Sequence, residues 1–159
     1  MKEEHEHAVK RGKKSRASGA AWETRVRKDL EERWTVDKWT NNVDLFCELE
    51  GAENQWGCKN VFKGKLVKAK VKWAGPGRPM MMGAGFPDFI CFRNYELSTE
   101  HKSFLFEVIG VEAKINGYLD PAERKKCEWL LKNKVFSKIL IAKKTKIKNR
   151  VVIIYEEFK

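Results

Sequence analysis

Two apolar runs on either side of a polar interval constrain the fold of this chain more than any other feature. The first is Gly85-Phe86-Pro87-Asp88-Phe89-Ile90-Cys91-Phe92, the interval runs from Asn94 to Ser103, and the second is Phe104-Leu105-Phe106-Glu107-Val108-Ile109-Gly110-Val111-Glu112-Ala113-Lys114. Both runs are rich in Phe, Val and Ile and are bounded by Gly, Pro, Asn and Ser, so they read as strands joined by a hairpin. A turn centred near residue 100 places Asp88 across from Glu112. The side-chain period of two sends Glu112 and Lys114 to one face of the sheet, and a directly opposed Asp88 shares that face. Two carboxylates and an ammonium then converge at one strand end.

Carboxylates opposed on neighbouring strands repel one another unless a cation sits between them. Mg²⁺ prefers carboxylate oxygens plus retained waters, usually with one or two protein carboxylates and a phosphate substrate completing the shell. Asp88 and Glu112 are therefore candidate ligands for Mg²⁺ or Mn²⁺. A lysine beside such an ion orients a water, stabilises charge developing on phosphorus, or acts as a general base if metal and burial lower its pKa. The pattern suits metal-assisted phosphodiester hydrolysis. An exposed cross-strand pair is the competing account, because an acid at a strand start and a Glu-x-Lys at a strand end satisfy that too.

Pro87-Asp88 followed by Glu112-Ala113-Lys114 resembles the PD-(D/E)XK nuclease signature. The longer series Gly85-Phe86-Pro87-Asp88-Phe89, Glu112-Ala113-Lys114 and Gly117-Tyr118-Leu119-Asp120-Pro121-Ala122-Glu123 is similar to the run in VRR-NUC-type nucleases and archaeal Holliday-junction resolvases, and the similarity covers residues 18–142. The resemblance implies a restriction-endonuclease-like fold, and an acid on the first helix that often joins the active site. It also implies a homodimer, since resolving a junction needs two sites. Glu123 departs from the pattern, standing where many relatives carry Gln, and the interval from Asp88 to Glu112 is on the long side for such hairpins.

Composition agrees with an anionic partner. Thirty-three Lys and Arg against 22 Asp and Glu leave a net charge of +11, and nucleic acid is the expected partner. A hydrophobic content of 42%, with six Trp and nine Phe, gives the chain enough apolar surface to bury a core as one domain. Cys47, Cys58, Cys91 and Cys127 form no C-x-x-C pair and no zinc spacing, so reduced buried thiols are expected. No apolar run is long enough to span a membrane and the charged N-terminus is no leader, which points to an intracellular protein.

Residues 1–17 lack an apolar period and read as a flexible basic arm, with residues 18–159 as the nuclease domain. Lys13, Lys14 and Arg16 in that arm either meet phosphates or form a solvated tail. His5 and His7 are spaced as a weak metal pair. A helix is expected from Ser18 to about Arg33 on the recurrence of Trp22, Val26 and Leu30. Glu23 sits at the edge of that stripe, either looking toward the metal or pairing with Arg27 four residues on.

Trp34–Trp39 and Val43–Glu50 read as short strands around an Asn41-Asn42 turn, with Asp37, Asp44, Glu48 and Glu50 facing solvent. Between Asn54 and Pro87 there is no acid at all. There Val67, Ala69, Val71 and Trp73 alternate with Lys68, Lys70 and Lys72, the period of a strand with one cationic face. Those lysines either contact DNA or guard an edge strand. The Gly- and Pro-rich stretch Ala74–Gly85 reads as a loop at the rim of the site, where Arg78 can clamp a phosphate.

Asp120, Pro121 and Glu123 mark a helix start as N-cap, N1 and N3, so Glu123 is both a cap and a possible auxiliary site residue. Tyr118 is placed to contact DNA or to edge the core. Lys138–Ala142 and Val151–Tyr155 are expected to finish the sheet around a second cationic loop containing Lys143, Lys144 and Lys146, open to a duplex arm or to RNA. The expected protein is an α/β domain with a mixed, centrally antiparallel sheet flanked by two helices. Its expected activity is that of a Mg²⁺- or Mn²⁺-dependent endodeoxyribonuclease of the junction-resolving kind on duplex or branched DNA, with Asp88, Glu112, Lys114 and Glu23 at its centre. The rivals are a VRR-NUC-like or nicking nuclease, and a basic nucleic-acid-binding protein without catalysis.

Overall fold

The computed structural model describes residues 2–47, 62–69, 71–72, 81–82, 85–98 and 103–159. In chain order the elements are α1 (Lys2–Glu31), β1 (Thr35–Lys38), β2 (Asn41–Cys47), β3 (Phe62–Lys68), β4 (Val71–Lys72), β5 (Met81–Met82), β6 (Phe89–Ser98), β7 (Ser103–Ala113), α2 (Pro121–Lys132), β8 (Lys138–Ile147) and β9 (Arg150–Glu157). A five-stranded sheet in the order β1-β6-β7-β8-β9 is the centre of this α/β arrangement. It is mixed: β7 and β8 run parallel, with α2 as their crossover, and every other pairing is antiparallel.

The alternation of side chains along the strands divides the core between the two faces of the sheet. Phe89, Cys91, Ile109, Val111 and Ala142 point to one face and bury the stripe Trp22, Val26 and Leu30 of α1. Gly110, Ile139 and Ile141 point to the other, where Leu119, Cys127, Leu130 and Phe136 around α2 pack with Val43 of β2. Val26, Ile109, Leu130 and Ile139 are wholly buried, and each such aliphatic side chain stabilises the fold by about 1.5–3 kcal/mol. The β2-β3 hairpin completes the α2 side as a separate sheet.

The hairpin register agrees with the sequence expectation. Phe89 pairs with Val111, Ile90 with Gly110 and Cys91 with Ile109, so continuing the ladder by one residue sets Asp88 against Glu112. Two glycines permit the close packing that leads into Asp88. A Cβ on Gly85 would lie 2.1 Å from the Trp39 carbonyl oxygen, and one on Gly110 would lie 2.7 Å from Cγ of Pro87.

Several expected boundaries move. α1 begins at Lys2, not Ser18, so residues 2–17 are a helical extension. Its many Lys, Arg, Glu and Ala are good helix formers with no Pro among them, and Glu6 stands four residues before Lys10. Its described side chains are exposed, and a helix face in solvent needs no apolar period. Asn41 and Asn42 are not a turn but the start of β2: β1 pairs with β6 and β2 with β3, so the chain changes sheets at Trp39 and Thr40.

The alternating strand through Val67 and Ala69 is also interrupted. β3 ends at Lys68, and the buried Ala69 donates its N–H to the Thr40 carbonyl, 2.8 Å away. Lys143 to Ile147 belong to β8 rather than to a cationic loop. The connection to β9 is only Lys148-Asn149, both with positive φ, as a two-residue hairpin with the strand twist requires.

Candidate active site

Asp88, Glu112, Lys114, Glu23 and Glu123 all line one cleft of 410 Å³ at the end of the sheet. Four elements deliver them. Asp88 precedes β6, Glu112 lies at the end of β7 and Lys114 just beyond it, Glu23 comes from α1 and Glu123 from the first turn of α2. Asp120, Lys126 and Asn42 line the same cleft.

The two central carboxylates are each held by a backbone N–H from the neighbouring chain segment. Asp88 N–H donates to Glu112 Oε2 at 3.0 Å, and Ala113 N–H donates to Asp88 Oδ2 at 3.0 Å. Their remaining oxygens face lysines: Glu112 Oε1 lies 3.2 Å from Lys114 Nζ, and Asp88 Oδ1 lies 3.5 Å from Lys38 Nζ. Each lysine is in turn held by an outer glutamate, Lys114 by Glu123 Oε1 at 2.5 Å and Lys38 by Glu23 Oε2 at 2.6 Å. The order around the cleft is thus Glu23, Lys38, Asp88, Glu112, Lys114, Glu123.

Asp88 and Glu112 are 7% and 5% exposed, and these are the buried charged residues of the described core. Burial pushes the Glu112 carboxyl up to about 8, with repulsion from Asp88 adding to it and Lys114 only partly offsetting it. Burial raises Asp88 too, against the Ala113 N–H and the Lys38 charge. Burial alone would lower Lys114, but its hydrogen bond to Glu123 and the Glu112 charge carry it above the ordinary lysine value. Lys114 is therefore an ammonium in this arrangement, suited to orienting a water or neutralising phosphate charge; a general base would need the opposite shift. Around the cleft five carboxylates meet three lysines, a deficit of two positive charges when all are ionised.

That deficit bears on the divalent ion expected here. Among the described residues no three His, Cys, Asp and Glu side chains form a ready-made metal cage. The donor set is instead two adjacent carboxylates, each of whose oxygens keeps a lone pair beyond the contacts above. Two carboxylates with water and substrate oxygens suit Mg²⁺ or Mn²⁺, so the residues present fit the ion.

Two lysines are among the members of the site that escaped the sequence reading. Lys38 ends β1 and is placed only by that strand's pairing with β6, opposite Phe89. Lys126 stands three residues after Glu123 on α2, a spacing that would have shown it. Of the two alternatives for Glu23, the pair with Arg27 is not the one taken: Glu23 bonds Lys38 at 2.6 Å and Arg27 bonds Glu31 at 2.7 Å.

Among the described residues, none of the expected nucleic-acid contacts lines the cleft. Lys13, Lys14 and Arg16 are exposed on α1. Arg16 lies two turns before Glu23 on the same side of the helix, about 10 Å along its axis, whereas Lys14 faces the opposite side. Lys144 and Arg25 line a second cleft of 240 Å³ between α1 and the β8-β9 hairpin. Lys146 is exposed on β8, and Lys143 is taken up by an ion pair with Glu156. Lys68 is exposed at the end of β3, the Lys72 side chain is not described, and Lys70 and Arg78 lie outside the described residues. Asp37 and Asp44 face solvent as expected.

Tyr118 is 60% exposed, on the surface rather than at a core edge. Cys91 and Cys127 are free and buried, with burial raising both thiols to about 12. No helix among the described residues is long and apolar enough to cross a membrane. No protein-family model, curated protein or solved structure matches the chain at a significant level.

Proposed function

We propose that this protein is a metal-dependent endodeoxyribonuclease of the PD-(D/E)XK type with a restriction-endonuclease-like fold. The observation that carries the proposal is the pair Asp88 and Glu112, buried side by side at the ends of neighbouring strands with the Lys114 ammonium 3.2 Å from the glutamate. Burying two carboxylates costs several kcal/mol unless a cation compensates, and a site that keeps them there is built to receive one.

In this reading Asp88 and Glu112 hold Mg²⁺ or Mn²⁺, which when bound supplies Lewis acidity toward a phosphoryl oxygen and lowers the pKa of water. Lys114, fixed by Glu123, aligns the attacking water and neutralises a phosphate oxygen as attack proceeds in line. Glu23 fixes Lys38 beside Asp88. The exposed cations of α1 and Lys146 bind the phosphate backbone away from the cut, and the cleft walls from β7 and α2 orient the scissile group. The resemblance of the Asp88, Glu112 and Lys114 run to junction-resolving enzymes favours a structure-selective, junction-resolving homodimer inside the cell, with linear or nicked duplex as the rival substrates.

A second reading has its own observation. The chain of ion pairs from Glu23 to Glu123 is what a non-catalytic nucleic-acid-binding protein would contain. It is disfavoured because burial and repulsion from Asp88 still raise the Glu112 carboxyl above its ordinary value despite Lys114, so the pairs only partly compensate the cluster. The test is incubation of the purified protein with supercoiled plasmid, linear duplex, single strand and a four-way junction, with and without Mg²⁺. Mg²⁺-dependent cutting that Asp88→Asn and Lys114→Ala abolish, with DNA binding retained, is the expected result. Binding without cutting of any DNA or RNA form overturns the enzyme.

A further inference from the structure

Lys38 occupies a seat that several elements build for it. It ends β1, and the β1-β6 register sets it against Phe89, next to Asp88. Its Nζ lies 2.6 Å from Glu23 Oε2, 3.5 Å from Asp88 Oδ1 and 4.9 Å from the centre of the Phe89 ring. A carboxylate from α1, a carboxylate at the head of β6 and an aromatic face thus surround one ammonium.

Asp88 is shared between two directions. Its Oδ2 accepts from Ala113 N–H on the strand that carries Glu112, and its Oδ1 faces Lys38, whose Nζ also bonds Glu23. Two carboxylate pairs therefore meet at Asp88: Asp88 with Glu112, and Asp88 with Glu23. A two-ion phosphodiesterase places cations about 3.5–4 Å apart to hold the attacking and leaving oxygens. Here the Asp88–Glu23 position is filled by a side chain of the protein.

We infer that the Lys38 ammonium takes the seat of a second cation on Asp88, so that the centre works with one divalent ion per chain and a fixed organic charge beside it. This rests on the metal-dependent nuclease reading and adds to it the number of ions. An ammonium delivers one charge and up to three donors at hydrogen-bond distance, whereas Mg²⁺ binds oxygens at about 2.0–2.1 Å. Lys38, with two donors engaged, keeps one for a phosphate oxygen. Lys114 cannot fill this role, because it is held on the far side of Glu112 by Glu123.

The test counts Mn²⁺ ions bound per chain, by electron paramagnetic resonance of free Mn²⁺ and by calorimetry, alongside the Mg²⁺ dependence of plasmid cutting. Wild type and Lys38→Arg are expected to bind one ion with a Hill coefficient near 1. Lys38→Ala and Lys38→Met are expected to bind two, with steeper Mg²⁺ dependence, because Glu23 and Asp88 are then uncompensated. Circular dichroism verifies that each variant is folded, and Lys38→Met keeps the apolar stem on Phe89 if the alanine variant is not. Two ions on wild type, or one ion on folded Lys38→Ala and Lys38→Met, overturns the inference while cutting by wild type leaves the nuclease reading intact. No ion on wild type and no cutting overturns both.

Discussion

Replacing Glu112 with Gln isolates what the protein sacrifices in stability to keep a carboxyl group in the site. In the unfolded chain this group ionises near its ordinary value of 4.5, but in the fold burial and Asp88 hold the proton on until about 8. Its stabilising contribution is therefore fully present below about pH 4.5 and is lost as pH rises through about 8. Each unit of difference is worth about 1.4 kcal/mol, so the full interval is on the order of 5 kcal/mol. Asp88 is raised as well and titrates together with Glu112, so the expected net loss on ionising Glu112 is smaller, about 2–3 kcal/mol. Gln cannot ionise, and its carboxamide oxygen still accepts from Asp88 N–H. The amide it turns toward Lys114 is a cost of similar size at every pH, so it cancels when two pH values are compared. The advantage of Glu112→Gln over wild type should therefore grow by about 2–3 kcal/mol between pH 5 and pH 8.5, or roughly 4–12 °C in Tm for a chain of this length. Thermal and urea unfolding of metal-free protein at both pH values measures it. An advantage that is the same at both, or that shrinks as pH rises, refutes the reasoning. Adding Mg²⁺ at pH 8.5 should raise the Tm of wild type and leave the variant unmoved.

Glu123→Ala removes one half of the α2 capping box and the anchor on Lys114, so unfolding should show a loss of about 1 kcal/mol and turnover should fall roughly tenfold, with Glu123→Gln restoring the cap. Gly85→Ala drives a methyl group against the Trp39 carbonyl, a backbone atom with no room to yield, and should cost about 2–3 kcal/mol in urea unfolding. Alanine at Lys13, Lys14 and Arg16 together should leave kcat unchanged while lowering the slope of log DNA affinity against log salt by about 0.9 for each phosphate that the helix no longer neutralises. An unchanged slope would show the helical extension to be a solvated tail.

The site was legible to the extent that its residues are close in sequence or linked by a hairpin. Asp88 and Glu112 face each other because a period of two and one turn fix an antiparallel register, and both signals lie in the residues themselves. Asp120, Pro121 and Glu123 announced α2 through local backbone chemistry alone. Lys38 was hidden because its place depends on β1 pairing with β6, a pairing between segments about fifty residues apart that no local pattern encodes. The first half of α1 was missed for a different reason: exposed helix residues need no apolar stripe, and propensity without periodicity resembles a disordered tail. The lysines of β8 misled in the same way, since an exposed strand end rich in charge reads as a loop.

Glu123 divides its two oxygens between unrelated duties. One accepts from the Asp120 N–H that begins α2, and the other grips Lys114. The first turn of that helix and the alignment of the lysine therefore stand or fall together, so a molecule whose α2 has frayed also loses its grip on Lys114. Under the hydrolytic reading, a newly made or partly unravelled copy cuts DNA more slowly until α2 has docked.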